Sequence, residues 1–201
     1  MGVAERRYRQ KEEVRNLILD TAWKQIEEVG VQALSIRKVA EAIEYSIPVI
    51  YSHFDSKEAI LNEFVKKGFN ALTQQISKAR DAHEKPAEKV MAMALAYWDF
   101  AAGNREAYQL MFGLGIPSCS QARSMPEIQA FSEVVKTVLQ EAIASGAHSG
   151  SDVFLKFQSY WSILHGIISI RLMGGHAEKE REELDLAVLK DTITGFIYAL
   201  I

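Results

Sequence analysis

A chain of 201 residues, 48% hydrophobic and 24% charged, is long enough to bury a sizeable core and sits between one large and two small domains. Its formal net charge of −3 argues against a protein that holds nucleic acid by bulk charge, and its single cysteine, Cys119, excludes an internal disulfide and fits a reducing compartment. No apolar run approaches the roughly eighteen residues of a membrane span, and the N-terminal MGVAERRYRQKEEVR lacks the apolar region of a signal peptide, so a cytoplasmic protein without membrane partners is expected.

In chain order, residues 1–10 are expected to form a flexible basic arm. From Lys11 to Val29, the residues Val14, Leu17, Ile18, Thr21, Ala22, Gln25 and Ile26 recur at intervals of three and four, the stripe of one amphipathic helix that Gly30 ends. Ser35 is a good N-cap for a short helix carrying Ile36, Val39, Ala40 and Ile43. Glu44-Tyr45-Ser46 leaves room only for a tight turn. Ser46 can cap a second short helix, and Pro48 falls in its first turn, where a missing N–H costs nothing. That helix turns Ile50 and Phe54 inward and leaves Ile47, Pro48, Val49, Tyr51, Ser52 and His53 outside. Two short helices over such a turn predict a helix-turn-helix, whose second helix can enter a DNA major groove.

Asp55 and Ser56 cap a long helix through Ile60, Phe64, Phe69 and Ile76 to about Ala79, with Gly68 as a weak point; residues 57–79 are the connector to the rest of the chain. Helices follow at about Pro86–Ala102, Arg105–Phe112, Pro126–Ser145, Ser151–Met173 and Glu180–Leu200, separated by a polar break at Asp81–Pro86 and a loop at Gly113–Ser124. Nothing alternates with period two, so the fold class is all-α.

The order Ser35-Ile36-Arg37, Val39-Ala40, then Ile50-Tyr51-xx-Phe54-xx-Lys57-Glu58-Ala59 resembles the DNA-binding domain of the TetR family of bacterial transcriptional regulators. The family usually has Gly where Glu44 stands, because the turn takes a left-handed backbone; Glu44 therefore implies local strain or an altered turn. Tyr108-Gln109-Leu110-Met111-Phe112-Gly113 and Trp161-Ser162-xx-Leu164-His165-Gly166 are similar to an effector-domain subgroup with a Trp…His-Gly signature. The resemblance implies an N-terminal three-helix DNA-binding domain with a helix-turn-helix over residues 1–56 and a C-terminal helical ligand-binding and dimerisation domain over 57–201. It implies a cytoplasmic repressor that meets a palindromic operator in double-stranded DNA as a homodimer and is released by a small-molecule effector. Base contacts then fall to Arg37, Ile47, Pro48 and Val49, and phosphate contacts to Ser35, Lys38, Tyr51, His53 and Lys57. The dimer interface falls to Trp161, Ile168, Leu172, Leu189 and Phe196 on the last two helices.

Charge distribution tempers this picture. Residues 1–58 carry nine Lys/Arg against ten Asp/Glu, so a basic face must come from clustering in the arm, at Arg37-Lys38 and at Lys57. Enzymatic signals are poor. The five histidines never fall at three- or four-residue spacing, no P-loop, dinucleotide fingerprint or nucleophile elbow occurs, and no catalytic residue, metal or cofactor is expected. A sensor role for Cys119 lacks both a resolving cysteine and an adjacent cation. The second half is rich in Met and aromatic residues, which are either ordinary core or a ligand cavity. Trp98, Tyr108, Met111, Phe112, Phe131, Phe157, Tyr160, Trp161 and His165 are its candidate walls, and an apolar or amphipathic ligand suits them. The rival reading is an all-helical carrier of apolar ligands without DNA binding.

Overall fold

The computed structural model describes residues 2–112, 125–146, 150–173 and 179–201. The Gly113–Ser124 loop, Cys119, His148, His176 and the side chain of Met173 lie outside the described residues. Among the described residues the secondary structure is entirely helical: α1 Val3–Val29, a short 3-10 turn at Val31–Ala33, α2 Ile36–Ala42, α3 Ile47–His53, α4 Lys57–Asp81, α5 Pro86–Gly103, α6 Arg105–Met111, α7 Pro126–Ser145, α8 Val153–Met173 and α9 Lys179–Tyr198.

The chain divides into two compact units. One comprises residues up to Gly68 together with α6, and the other runs from Phe69 to Arg105 and takes in α7, α8 and α9. In the first, Ile18, Leu19, Ala22 and Ile26 of α1, Leu34, Val39, Ala40 and Ile43, Ile50 and Phe54, and Ile60, Leu61, Phe64 and Val65 form one apolar core. Two expectations about α1 are corrected. The helix starts at Val3, so the arm is helical from its third residue: Glu5, Arg6, Arg7, Arg9 and Gln10 are good helix formers with no Gly or Pro to interrupt them. Leu17, expected in the stripe, is 43% exposed, and Leu19 is buried in its place. Helix α4 passes Gly68 unbroken. A Cβ there would collide with the Met111 side chain, so the glycine serves close approach.

In the second unit α5 packs against α7, α8 and α9, which explains why it is apolar almost all round, with Val90, Met93, Ala94, Ala96, Tyr97, Trp98, Phe100 and Ala101 buried. The Tyr160 hydroxyl donates to the Val90 carbonyl at 2.8 Å, and burial pushes that phenol well above its ordinary pKa. Arg171 lies over the Trp98 ring at 4.4 Å and pairs with Glu182.

The residues expected at the dimer face differ in exposure within the single chain. Ile168, Leu189 and Phe196 are 1%, 0% and 9% exposed within the single chain, and Trp161 and Leu172 are half-buried. Helix α8 has apolar residues on almost every side, so periodicity did not decide which side turns inward; the outward faces instead carry Phe154, Leu155 and Ile170 on α8 and Leu184, Val188 and Tyr198 on α9.

Candidate nucleic-acid interface

The motif is built from the bottom by caps. The Ser35 hydroxyl accepts from the Lys38 N–H at 3.4 Å at the start of α2. The Ser35 N–H in turn donates to Gln25 Oε1 at 2.7 Å, which ties the first turn of α2 to α1. At the other end of α2, the Tyr45 N–H reaches the Ala40 carbonyl at 3.0 Å and the Glu44 N–H reaches Glu41 at 3.2 Å, the paired bonds of a Schellman stop. That stop places Glu44 at φ 59°, in the left-handed region the sequence anticipated for a glycine. Ser46 holds the N-cap position of α3, but contrary to expectation its hydroxyl makes no capping bond; its carbonyl accepts from Val49 at 2.9 Å and Ile50 at 3.4 Å, and Pro48 fills the first turn. Ser56 caps α4 by accepting from the Ala59 N–H at 3.1 Å.

With Ile50 at 0% and Phe54 at 5% exposure, α3 is anchored by one face, and Ile47, Pro48 and Tyr51 are left outside, Ile47 at 40% and Tyr51 at 48%. Val49 is half-buried. Arg37 stands clear of the surface, yet its Nε donates to Glu41 Oε1 at 2.8 Å, and that bond and charge hold its pKa above the ordinary value. Any base that Arg37 meets must compete with Glu41. Lys38 is exposed, whereas Ser35, His53 and Lys57 are half-buried. Burial first, then the charges of Lys11 and Arg15, lower the His53 pKa, so its ring is neutral near pH 7.

Three contributors were not legible as such in the sequence. Gln25 looked like one more residue of the α1 stripe and acts as the acceptor for the α2 cap. Glu41 sits one helical turn after Arg37, a spacing that is visible in the sequence, although which groove donor it would occupy is not. Arg15 of α1 is committed to Glu63 at 2.6 Å and lies over the Phe54 ring at 5.0 Å, bracing the end of α3 against α4.

The candidate ligand walls fall in different places. Tyr108, Met111 and Phe112 belong to the first unit, where the Tyr108 and Phe112 rings pack at 4.5 Å. In the second unit Trp98, Phe131, Phe157 and Tyr160 are buried, and Trp161 meets Phe131 and Phe157 edge-on at 5.2 and 5.6 Å. His165 is half-buried, and burial lowers its pKa. The void beside Tyr160, lined by Val90, Met93, Val135, Val138 and Leu139, has no room for a water-sized molecule. On the same helix as Phe157, Tyr160 and Trp161, Phe154 is 60% exposed, and Asp99 and Gln129, the polar residues near Trp98 and Phe131 in the chain, are exposed.

A family model described as the bacterial regulatory proteins of the tetR family matches residues 18–64, and one described as the tetracyclin repressor-like C-terminal domain matches residues 90–190. The chain belongs to the TetR family. Its TetR fold is shared along nearly its whole length with a protein of unknown function from Rhodococcus sp. RHA1, at 25% identity over 92% of this chain and 94% of that one, with a TM-score of 0.73. FadR from Bacillus subtilis, solved in complex with stearoyl-CoA, is 20% identical over 92% of this chain and 98% of its own, with a TM-score of 0.72. The TetR family regulator PfmR from Thermus thermophilus is 22% identical over 90% of this chain and 97% of its own, with a TM-score of 0.66. The latter two share the fold. No curated protein matches the chain. Among the described residues no helix is long and apolar enough to cross a membrane.

Proposed function

We propose that this protein is a sequence-specific DNA-binding repressor that acts as a homodimer and leaves DNA when a small apolar or amphipathic molecule binds. The observation that carries the reading is the motif itself: Val39, Ile43, Ile50 and Phe54 are buried beneath a surface that leaves Arg37, Ile47, Pro48 and Tyr51 exposed. Arg37 supplies the hydrogen-bonding fork for a guanine, and Ile47, Pro48 and the exposed part of Val49 supply shape and thymine-methyl contacts. Ser35, Lys38, Tyr51, His53 and Lys57 are assigned to phosphates, which fix register without reading sequence. In this reading residues 1–56 form the reader, 57–201 the effector part, and 57–79 the connector.

Two copies would join through the outward faces of α8 and α9, where Ile170, Leu184, Val188 and Tyr198 are exposed, and would present two α3 helices to half-sites about 34–36 Å apart. The Phe131, Phe157 and Trp161 cluster, with His165 beside the Trp…His-Gly signature, supports an apolar effector in the second unit, as does the stearoyl-CoA complex of a protein with the same fold. An effector displaces DNA only if it binds better to the DNA-incompetent state, typically by about 1–3 kcal/mol, and DNA then weakens effector binding by the same factor. The deciding experiment is selection of genomic fragments at near-physiological salt followed by gel shift. Recovered fragments should share an inverted repeat; fragments with no common sequence would refute the reading in favour of an apolar-ligand carrier.

A further inference from the structure

Arg7, Gln10, Lys11 and Val14 of α1, with Ser52 and His53 at the end of α3, line an open groove of about 370 Å³. Positions 7, 10, 11 and 14 share one helix face, and Arg7 is on it only because α1 extends back to Val3. Among the described residues Arg7 and Lys11 have no carboxylate at ion-pair distance, in contrast to Arg15, held by Glu63, and Arg37, held by Glu41. Glu12 also acts on His53, against Lys11 and Arg15, but the groove lining itself holds the two cations Arg7 and Lys11 and no carboxylate. The Ser52 hydroxyl already donates to the Val49 carbonyl at 2.7 Å, and the donors left to a guest are therefore the Arg7 guanidinium, the Lys11 ammonium, the Gln10 amide and the His53 ring. His53 Nδ1 is buried without a hydrogen-bond partner, an unmet polar group in the wall.

We infer that this groove seats one backbone phosphate of duplex DNA at the edge of the base pairs that α3 faces, with Arg7 and Lys11 as its cationic donors. The inference rests on the DNA-binding reading above. Its geometry follows from the short helix: at about 1.5 Å rise per residue, Ser52 and His53 stand roughly 8 Å along α3 from Ile47, comparable with the reach from the middle of a major groove about 12 Å wide to its rim. A groove this open suits a phosphate carried on a strand passing over it, whereas a free anion would stay largely hydrated there.

The test uses the full-length protein and a mixed-sequence duplex, with affinity measured across a salt series. The Arg7→Ala/Lys11→Ala variant should give a log K against log salt slope shallower by about 0.9 for each seat lost, with unchanged preference among operator-like sequences, and the exposed-charge control Lys190→Ala should leave the slope alone. Both mutated side chains are exposed, so circular dichroism of the variant should match the wild type. NMR of the His53 ring separates the sources of phosphate: the duplex should perturb it at concentrations where inorganic phosphate does not. A variant with the wild-type slope, or a ring that answers to inorganic phosphate alone, overturns this inference and leaves the helix-turn-helix reading standing. A wild type that binds no duplex overturns both.

Discussion

Glu44 carries the most localised strain in the reader. A side chain at φ 59° costs about 1–2 kcal/mol relative to right-handed backbone, whereas glycine adopts it freely and loses only part of that gain to its extra unfolded-state entropy. Glu44→Gly should therefore raise stability by up to about 1 kcal/mol, and the β-branched Glu44→Val should lower it by a similar amount; the midpoints of urea unfolding check both. Arg37 and Tyr51 should separate by the kind of loss. Arg37→Ala should weaken operator binding roughly ten- to hundredfold and relax preference at one base pair per half-site, whereas Tyr51→Ala should weaken all sequences nearly alike. Binding profiles that change in the same way for both would undo the division of roles. The Glu41 carboxylate adds a sharper variant of the test. Glu41→Ala frees Arg37 and should tighten binding to the preferred sequence if the fork reads a base.

At the scale of elements, the reader is three helices held in register by a few polar bonds over a continuous core. Gln25 is the one whose loss is most informative. Its Oε1 accepts the Ser35 N–H, and Gln25→Leu would leave that part-buried donor unmet, costing about 1–2 kcal/mol and loosening the start of α2. Gln25→Glu keeps an acceptor and should retain most of the stability. Amide exchange at Ser35 distinguishes the two, because the N–H should lose protection in the leucine variant alone. Arg15 plays the corresponding part between α3 and α4, with its guanidinium on the Phe54 ring and in contact with Glu63. Burial alone would raise the Glu63 pKa, but hydrogen bonds from Arg15 and Lys66 outweigh it and hold the carboxyl below its ordinary 4.5.

At the scale of the whole molecule, acid should act in two stages. His53 and His165 both have pKa values lowered from 6.5, chiefly by burial, so below about pH 6.5 the unfolded chain binds protons that the folded chain resists. Stability is complete above that pH and declines as pH falls through it. Glu63, Glu58 and Asp81 are shifted downward and act in a lower window: their contribution holds above about pH 4.5 and is lost beneath it. The His53→Gln/His165→Gln variant should lose the first stage and keep the second in denaturation measured from pH 7.5 to 4. Assembly gives the other molecular prediction. Val188→Asp, on the outward face of α9, should yield a folded monomer by sedimentation, while Ile168→Asp, on the buried face of α8, should unfold the subunit. A Val188→Asp protein that stays dimeric would place the contact elsewhere.

The amino-acid sequence alone determined what depends on neighbours a few residues apart. The order of helices, the Ser35 and Ser56 caps, the proline in the first turn of α3 and the family were all written in local chemistry, and α7 runs over Pro126–Ser145 as its pattern predicts, whereas the choice at Glu44 between local strain and an altered turn was made only by the folded backbone. The tertiary structure decided what depends on a partner far along the chain. An amphipathic helix such as α1 announces its buried face, yet even there Leu17 and Leu19 exchanged places. Helices α5 and α8 are apolar on nearly every side, so only packing could choose between them: α5 is surrounded, whereas α8 turns Ile168 inward and Ile170 outward. The same holds for polar groups. Gln25 and Arg15 have no local signal for their bonds to Ser35 and Glu63, because those partners are brought within reach only when the core of the first unit closes around Ile18, Ile50 and Phe64.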